Sequence, residues 1–180
     1  MRVYCVHHIR KGVCMMIRDL LREAQQHLAA AMFESLSVCL ASEAPVKPKA
    51  KQFTYQNGRF KIIDSSRPSF MTLHQLRGMT SIWCNDRLIW VMQYAEDYSD
   101  EDRPLIRRIL RMSHREILRT GEFFGVRGPW RRVLPSQSLV YRNVVHEHSD
   151  FGQFSGHESL RSSDSPLERG RCDYWGSALI

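Results

Sequence analysis

What the chain lacks narrows it first. No apolar run approaches the roughly 18 residues that a membrane-spanning helix needs, so no membrane segment is expected. The five cysteines, Cys5, Cys14, Cys39, Cys84 and Cys172, are odd in number and scattered, with no Cys-x-x-Cys pair among them. Neither a disulfide framework nor a zinc ribbon is suggested by that spacing. A reducing compartment fits such cysteines, and the expected location is cytoplasmic. The "YCVHHI" stretch is too short and too polar for a secretory core. No cofactor is expected. Lysine is scarce: 21 of the 26 basic residues are arginine, and the formal net charge is +7.

What is present is ordinary globular composition. The chain has 180 residues, 43% of them hydrophobic and 25% charged, enough for one compact domain plus an appendage. The stretch before Met15 carries neither helical nor strand periodicity, which leaves open an upstream extension of the reading frame. From Met16, apolar residues at Ile17, Leu20, Leu21, Ala24, Leu28, Ala31, Met32, Leu36 and Cys39 recur at three- and four-residue steps. That spacing predicts an amphipathic helix. "ASEAPVKPKAK" then reads as a solvated linker. Residues 1–50 are therefore expected to form a helical arm and linker, and 51–180 a separate β-rich domain.

The period changes to two beyond the linker. Phe53 and Tyr55 lead to Asn57-Gly58, after which Phe60 and Ile62 alternate away, and this predicts a hairpin with a type I′ turn. "MTSIW" and "RLIWVMQY" read as a second strand pair around Cys84-Asn85-Asp86. Between Asp102 and Thr120 the helical period returns, with Leu105, Ile106, Ile109, Leu110, Ser113, Ile117 and Leu118 on the inward face. Asp102 is placed as N-cap, Pro104 in the first turn and Gly121 as the stop. "GVRGPWRRVLPSQ" reads as turn-rich, and strands are expected at 138–145, 152–160 and 171–179.

The two strand-rich parts share a skeleton. Tyr55, Asn57 and Asp64 are spaced like Tyr141, Asn143 and Asp150, and Gly78 to Ile82 lines up with Gly156 to Leu160 ahead of Tyr94 and Tyr174. An internal repeat over about 53–94 and 139–180, with three strands per copy, is expected. The histidines of "YRNVVHEHSDFGQFSGHE" then have no counterparts in the first copy. His146 and His148, two apart on a strand, would share a face and could ligate a metal with Glu158. The repeat favours a solvent-facing polar strand instead, and no metal is expected.

Other residues point to binding or chemistry. Asp150, Glu158 and Tyr141 could supply an acid and a base, although such groups more often satisfy backbone donors or an arginine. Arg127, in a Gly-Pro turn, suits a carboxylate or phosphate held bidentately, or a salt bridge to Asp150 or Glu158. Trp90, Tyr94 and Phe154 are candidate walls of an apolar pocket. Arg108, Arg111, Arg115 and Arg119 form a basic helical stripe that could follow phosphates. Acidic neighbours such as Asp100, Glu116 and Glu122 dilute it and argue against nucleic acid as a partner.

The combination of "RLIWVMQY", "VRGPW", "LVYRN", "SDFGQFSGHESL" and "YWGSALI" resembles domain of unknown function 5680, a bacterial family without an assigned activity. Trp90, Met92, Tyr94, Arg127, Gly128, Pro129, Asp150, Phe154, Gly156, Glu158 and Gly176 stand at its motif positions. The resemblance runs from about Lys51 to Ile180. Ser149 and Ser177 depart from it where glycines are expected. It implies no catalytic residue. Members that bind DNA would do so through a preceding helix-turn-helix, which a single N-terminal helix does not provide.

The expected architecture is α+β: duplicated antiparallel units in one sheet or half-barrel, a connecting helix, and an N-terminal helix docked on the sheet or paired in a homodimer. The leading functional expectation is a non-catalytic small-molecule-sensing or interaction module. The alternatives are a hydrolase or isomerase built on Asp150 and Glu158, and a nucleic-acid binder using the arginine-rich helix.

Overall fold

The computed structural model describes residues 3–41, 50–69, 75–123, 125–165 and 167–180. Two helices and eight strands follow in the order α1 (Val3–Ala41), β1 (Lys51–Asn57), β2 (Phe60–Pro68), β3 (Gln75–Cys84), β4 (Arg87–Asp97), α2 (Arg103–Thr120), β5 (Arg131–Leu134), β6 (Leu139–Val145), β7 (Gln153–Ser162) and β8 (Glu168–Ala178). The fold is α+β, with one open antiparallel sheet of eight strands ordered β1-β2-β3-β4-β8-β7-β6-β5. Each half of the sheet is a four-strand meander rather than the expected three strands. The halves join where β4 pairs β8, with Tyr94 directly opposite Tyr174.

Alternation on the strands builds one buried face. Phe60, Ile62, Ile82, Trp90, Met92, Tyr141, Phe154, Leu160 and Tyr174 point into a single core, while Gln93, Trp175, Met79 and Arg142 stand on the outer face. Both helices cover the inner face. Ala24, Leu28, Ala31, Met32 and Leu36 of α1 join the same core cluster as Ile106, Ile109 and Leu110 of α2. From Ala24 to Leu36 the apolar face of α1 is thus covered by its own chain. At about 25 cal/mol per Å2 of apolar surface removed from water, each of the leucines, isoleucines and Met32 contributes on the order of 1.5 to 3 kcal/mol, the alanines less. Polar ties fix the two helices to each other: Arg111 Nε donates to Ser37 Oγ at 2.8 Å, and its guanidinium lies 4.6 Å from the Phe33 ring centroid. Gln25 Nε2 donates to the carbonyls of Gly121 and Glu122.

Several local expectations are corrected. α1 starts at Val3, well before Met16. The first hairpin turns on Gly58 and Arg59, and among these only Gly58 has positive φ, 57°. That is the pattern of a type II′ turn. The type I′ pattern belongs to the second hairpin, where Asn85 and Asp86 have φ of 48° and 60°. Asp102 precedes α2 but makes no side-chain cap; its own N–H bonds Ser99 Oγ, and its carboxylate accepts from Ser99 and Arg169. Gly121 ends α2 at φ 73° as expected. Leu118 is exposed, and His114 is buried in its place. A short strand, β5, occupies part of the stretch expected to be turn.

The register also sorts the matched motifs. Gly78 pairs with Tyr94 and Gly156 with Tyr174, and a Cβ on either glycine would collide with that tyrosine. Tyr55 to Asn57 ends the edge strand β1, whereas Tyr141 to Asn143 lies on β6, one strand in from the other edge. Asp64, not Asn57, takes the place on β2 that Asn143 takes on β6: each accepts the hydroxyl of the tyrosine in its half.

Candidate functional site

The inward row of β7 runs Phe154, Gly156, Glu158, Leu160, which puts a carboxylate into the core. Glu158 is fully buried, and an isolated charge there would be prohibitive without partners. Arg127 supplies two donors to Oε2, Nε at 3.1 Å and Nη2 at 2.8 Å. Gly128 N–H donates to Oε1 at 3.1 Å, and Tyr141 Oη donates to the same oxygen. Arg127 Nη2 also reaches Glu96 Oε1 at 2.8 Å, and its Cζ stands 5.2 Å from the Tyr94 ring centroid. Burial works against the charge of Arg127, and Cys172, Glu158 and Glu96 outweigh burial, so the guanidinium stays charged.

The loop that carries Arg127 is strained. Gly125 and Val126 have φ of 66° and 53°, and a β-branched residue in the left-handed region costs on the order of 1 to 3 kcal/mol. The arginine's bonds and the clamp of Asn143 Nδ2 on the Gly128 carbonyl, 2.8 Å, offset that cost. Asn143 is itself held by Tyr174 Oη at 2.6 Å.

Beside this network a cavity of about 370 Å3 opens between α1, α2 and β1 to β4. Its walls are apolar, from Met32, Leu36, Phe53, Leu76, Ile106 and Leu110, and its inner end is polar, from Asp64, Tyr94, Glu96, Tyr98 and Arg127. Asp64 Oδ1 accepts from Thr80 Oγ1 at 2.7 Å, and Tyr94 Oη lies 3.3 and 3.4 Å from its two oxygens. Burial raises the Asp64 carboxyl above its ordinary value; Thr80 opposes the rise and Glu96 adds to it. Tyr98 is fully buried, and its hydroxyl finds no hydrogen-bond partner among the described residues. Burial, then Glu158, keeps that phenol protonated. Arg107 and Lys51 also line the cavity.

The candidate residues separate into three groups. Arg127, Glu158 and Tyr141 come together, with Arg127 and Tyr94 lining the cavity. Trp90 and Phe154 serve the core: Trp90 stacks on Phe151 and Phe154 at 4.9 and 5.5 Å and donates Nε1–H to the Phe151 carbonyl at 2.7 Å. Asp150 joins neither. Its Oδ1 accepts the N–H groups of Gly152 and Gln153 at an exposed bend, so the trio Asp150, Glu158 and Tyr141 does not assemble. Each Glu158 oxygen accepts from two donors.

His146 and His148 do not share a strand face, because β6 ends at Val145 and His148 lies in a turn at φ 63°. His146 Nδ1 meets Ser155 Oγ at 2.8 Å. Among the described residues no group of three or more His, Cys, Asp or Glu side chains could hold a metal ion. In the α2 stripe Arg108, Arg115 and Arg119 are exposed, Arg119 paired with Glu116, and Arg111 is spent on α1.

Asp64, Glu96 and Tyr98 escaped sequence reasoning as site residues. A signal existed: in Phe60-x-Ile62-x-Asp64 and Trp90-x-Met92-x-Tyr94-x-Glu96 the alternation that buries the apolar members carries the carboxylates inward too. Comparisons with protein-family models, curated proteins and solved structures found no match. Among the described residues no helix is long and apolar enough to cross a membrane.

Proposed function

We propose that the protein is a cytoplasmic small-molecule-binding module, without chemistry of its own, that receives its ligand in the cavity between the two helices and β1 to β4. One observation carries the reading: a chamber of about 370 Å3 with mainly apolar walls ends in the polar groups of Asp64, Tyr94, Glu96 and Arg127. Volumes of roughly 300 to 1,000 Å3 with apolar walls and a few convergent polar groups are the usual form of a ligand site. The ligand class follows from the lining: a small, mainly apolar molecule whose polar end offers a donor to Asp64.

The non-catalytic reading is supported by how the strongest charges are used. Arg127 and Glu158 neutralise each other inside a network that fixes a strained loop, and Glu158 is fully buried.

Thermal unfolding with hexanamide and with hexanoate tests the proposal. Hexanamide raises Tm more than hexanoate, and Asp64→Ala removes the preference. Equal shifts for both compounds, or shifts that persist when Leu110→Trp fills the chamber, overturn it.

A further inference from the structure

The outer face of the sheet carries a second feature, remote from the cavity. Arg131 of β5 and Arg142 of β6 are direct cross-strand partners. Tyr141 and Asn143 point inward, so both guanidinium groups stand on the solvent side. Both residues are exposed, and among the described residues neither has an ion-pair or hydrogen-bond partner for its side chain. Like charges directly opposite on an antiparallel pair destabilise the sheet, so this placement needs a reason.

A third arginine closes on the same place. Val140 of β6 pairs with Arg161 of β7, and on the β8 side of β7 the register shifts between Leu160 and Arg161. Irregularities of this kind re-aim side chains beside sites. Arg161 Nη2 is held by Glu168 Oε1 at 2.7 Å, while its buried Nε has no partner among the described residues. Arg131, Arg142 and Arg161 line one depression of about 470 Å3 with the serine-rich turn Ser162 to Ser165. Ser163 N–H bonds the Ser138 carbonyl at 2.8 Å, which ties that turn to the sheet. Glu168 offsets one of the three charges and exposed Asp164 stands in the turn, so positive charge remains in excess.

We propose that this depression is a binding site for a phosphate group, either inorganic phosphate or the terminus of a phosphate monoester. Guanidinium donors match phosphate oxygens in a planar, bidentate manner, and a dianion between Arg131 and Arg142 turns their repulsion into two attractions. The serine hydroxyls complete the oxygen shell. The site is independent of the ligand chamber on the other face.

Isothermal titration with inorganic phosphate and with phenyl phosphate, against sodium chloride at matched ionic strength, decides it. Saturable binding of both phosphates is expected, weakened about tenfold in Arg142→Ala and in Arg131→Ala, as loss of one charge-assisted contact implies. Arg171→Ala removes a guanidinium already paired with Asp173 and leaves binding intact. Binding of phenyl phosphate alone would place recognition on the ring, and overturns the proposal. So does heat no larger than that of chloride, or equal weakening in all three variants. Circular dichroism confirms that the variants are folded; all three positions are exposed.

Discussion

Arg127 and Glu158 meet through two guanidinium nitrogens at 3.1 and 2.8 Å inside the sheet's covered face. Removing one member of a buried pair strands the other, at a cost of about 3 to 5 kcal/mol. Glu158→Ala is expected to lose that much in urea unfolding. Asp150→Ala gives up only exposed bonds to Gly152 and Gln153, and loses about 1 kcal/mol. Comparable losses for the two variants would refute the separation of their roles.

Asp64 gives the opposite sign. Burial holds its carboxyl above the ordinary value, so the folded state binds the proton more tightly than the unfolded chain does, and the contribution of Asp64 is fully present below the unfolded value and lost as pH rises through the folded one. Asp64→Asn keeps acceptor and donor capacity without the charge. It is expected to raise Tm at pH 7.5, with the gain shrinking toward pH 4. A variant less stable than the wild type at pH 7.5 would show that the ionised carboxylate is needed for the fold.

His114 sets an acid limit. Its ring is fully buried, and burial first, with Arg127 second, lowers its pKa from 6.5 to about 3. The folded state therefore keeps the ring neutral, whereas the unfolded chain takes a proton below 6.5. Stability is intact above pH 6.5 and falls as pH drops toward 3, by up to about 1.4 kcal/mol per pH unit from this group. His114→Leu should flatten that part of the pH profile measured by urea midpoint. An unchanged slope would contradict the assignment.

Gly156 sits beneath Tyr174. A Cβ there would stand 2.5 Å from the Val144 carbonyl oxygen as well as against the tyrosine hydroxyl. Backbone does not yield as a side-chain end does, so Gly156→Ala is expected to cost about 1 to 3 kcal/mol. At Gly78 the three nearest atoms to an added Cβ all belong to the Tyr94 side chain, so Gly78→Ala should cost less in a paired chemical-denaturation experiment.

How legible all this is depends on how local the cause is. α2 follows from its period, and its glycine stop at Gly121 is a matter of one residue. The strand pairs follow from alternation and turn residues, although which residue of Asn57-Gly58-Arg59 bends is settled only by the register of β1 on β2. β5 is invisible in sequence: four residues between Pro129 and Pro135 carry no period of their own, and β6 makes the strand by pairing with it. Likewise Arg127, Glu158 and Tyr141 can be named as polar residues in a β-rich stretch, but their joining depends on a loop crossing β6 and β7. The matched steps around Gly78 and Gly156 sit at like places in the two halves; those from Tyr55 and Tyr141 do not, since one lies at an edge strand and the other inside the sheet. His146 and His148 do not share the face their spacing suggests, the strand having ended before them.

The central claim is that the chamber ending at Asp64, Tyr98 and Arg127 holds a small molecule. Native mass spectrometry of the protein after exposure to a small-molecule extract tests it most directly, with Leu110→Trp as the filled-chamber control. A discrete adduct on the wild type that is absent from the variant is the predicted result. Spectra in which both proteins carry the same adduct, or neither carries any, would contradict it.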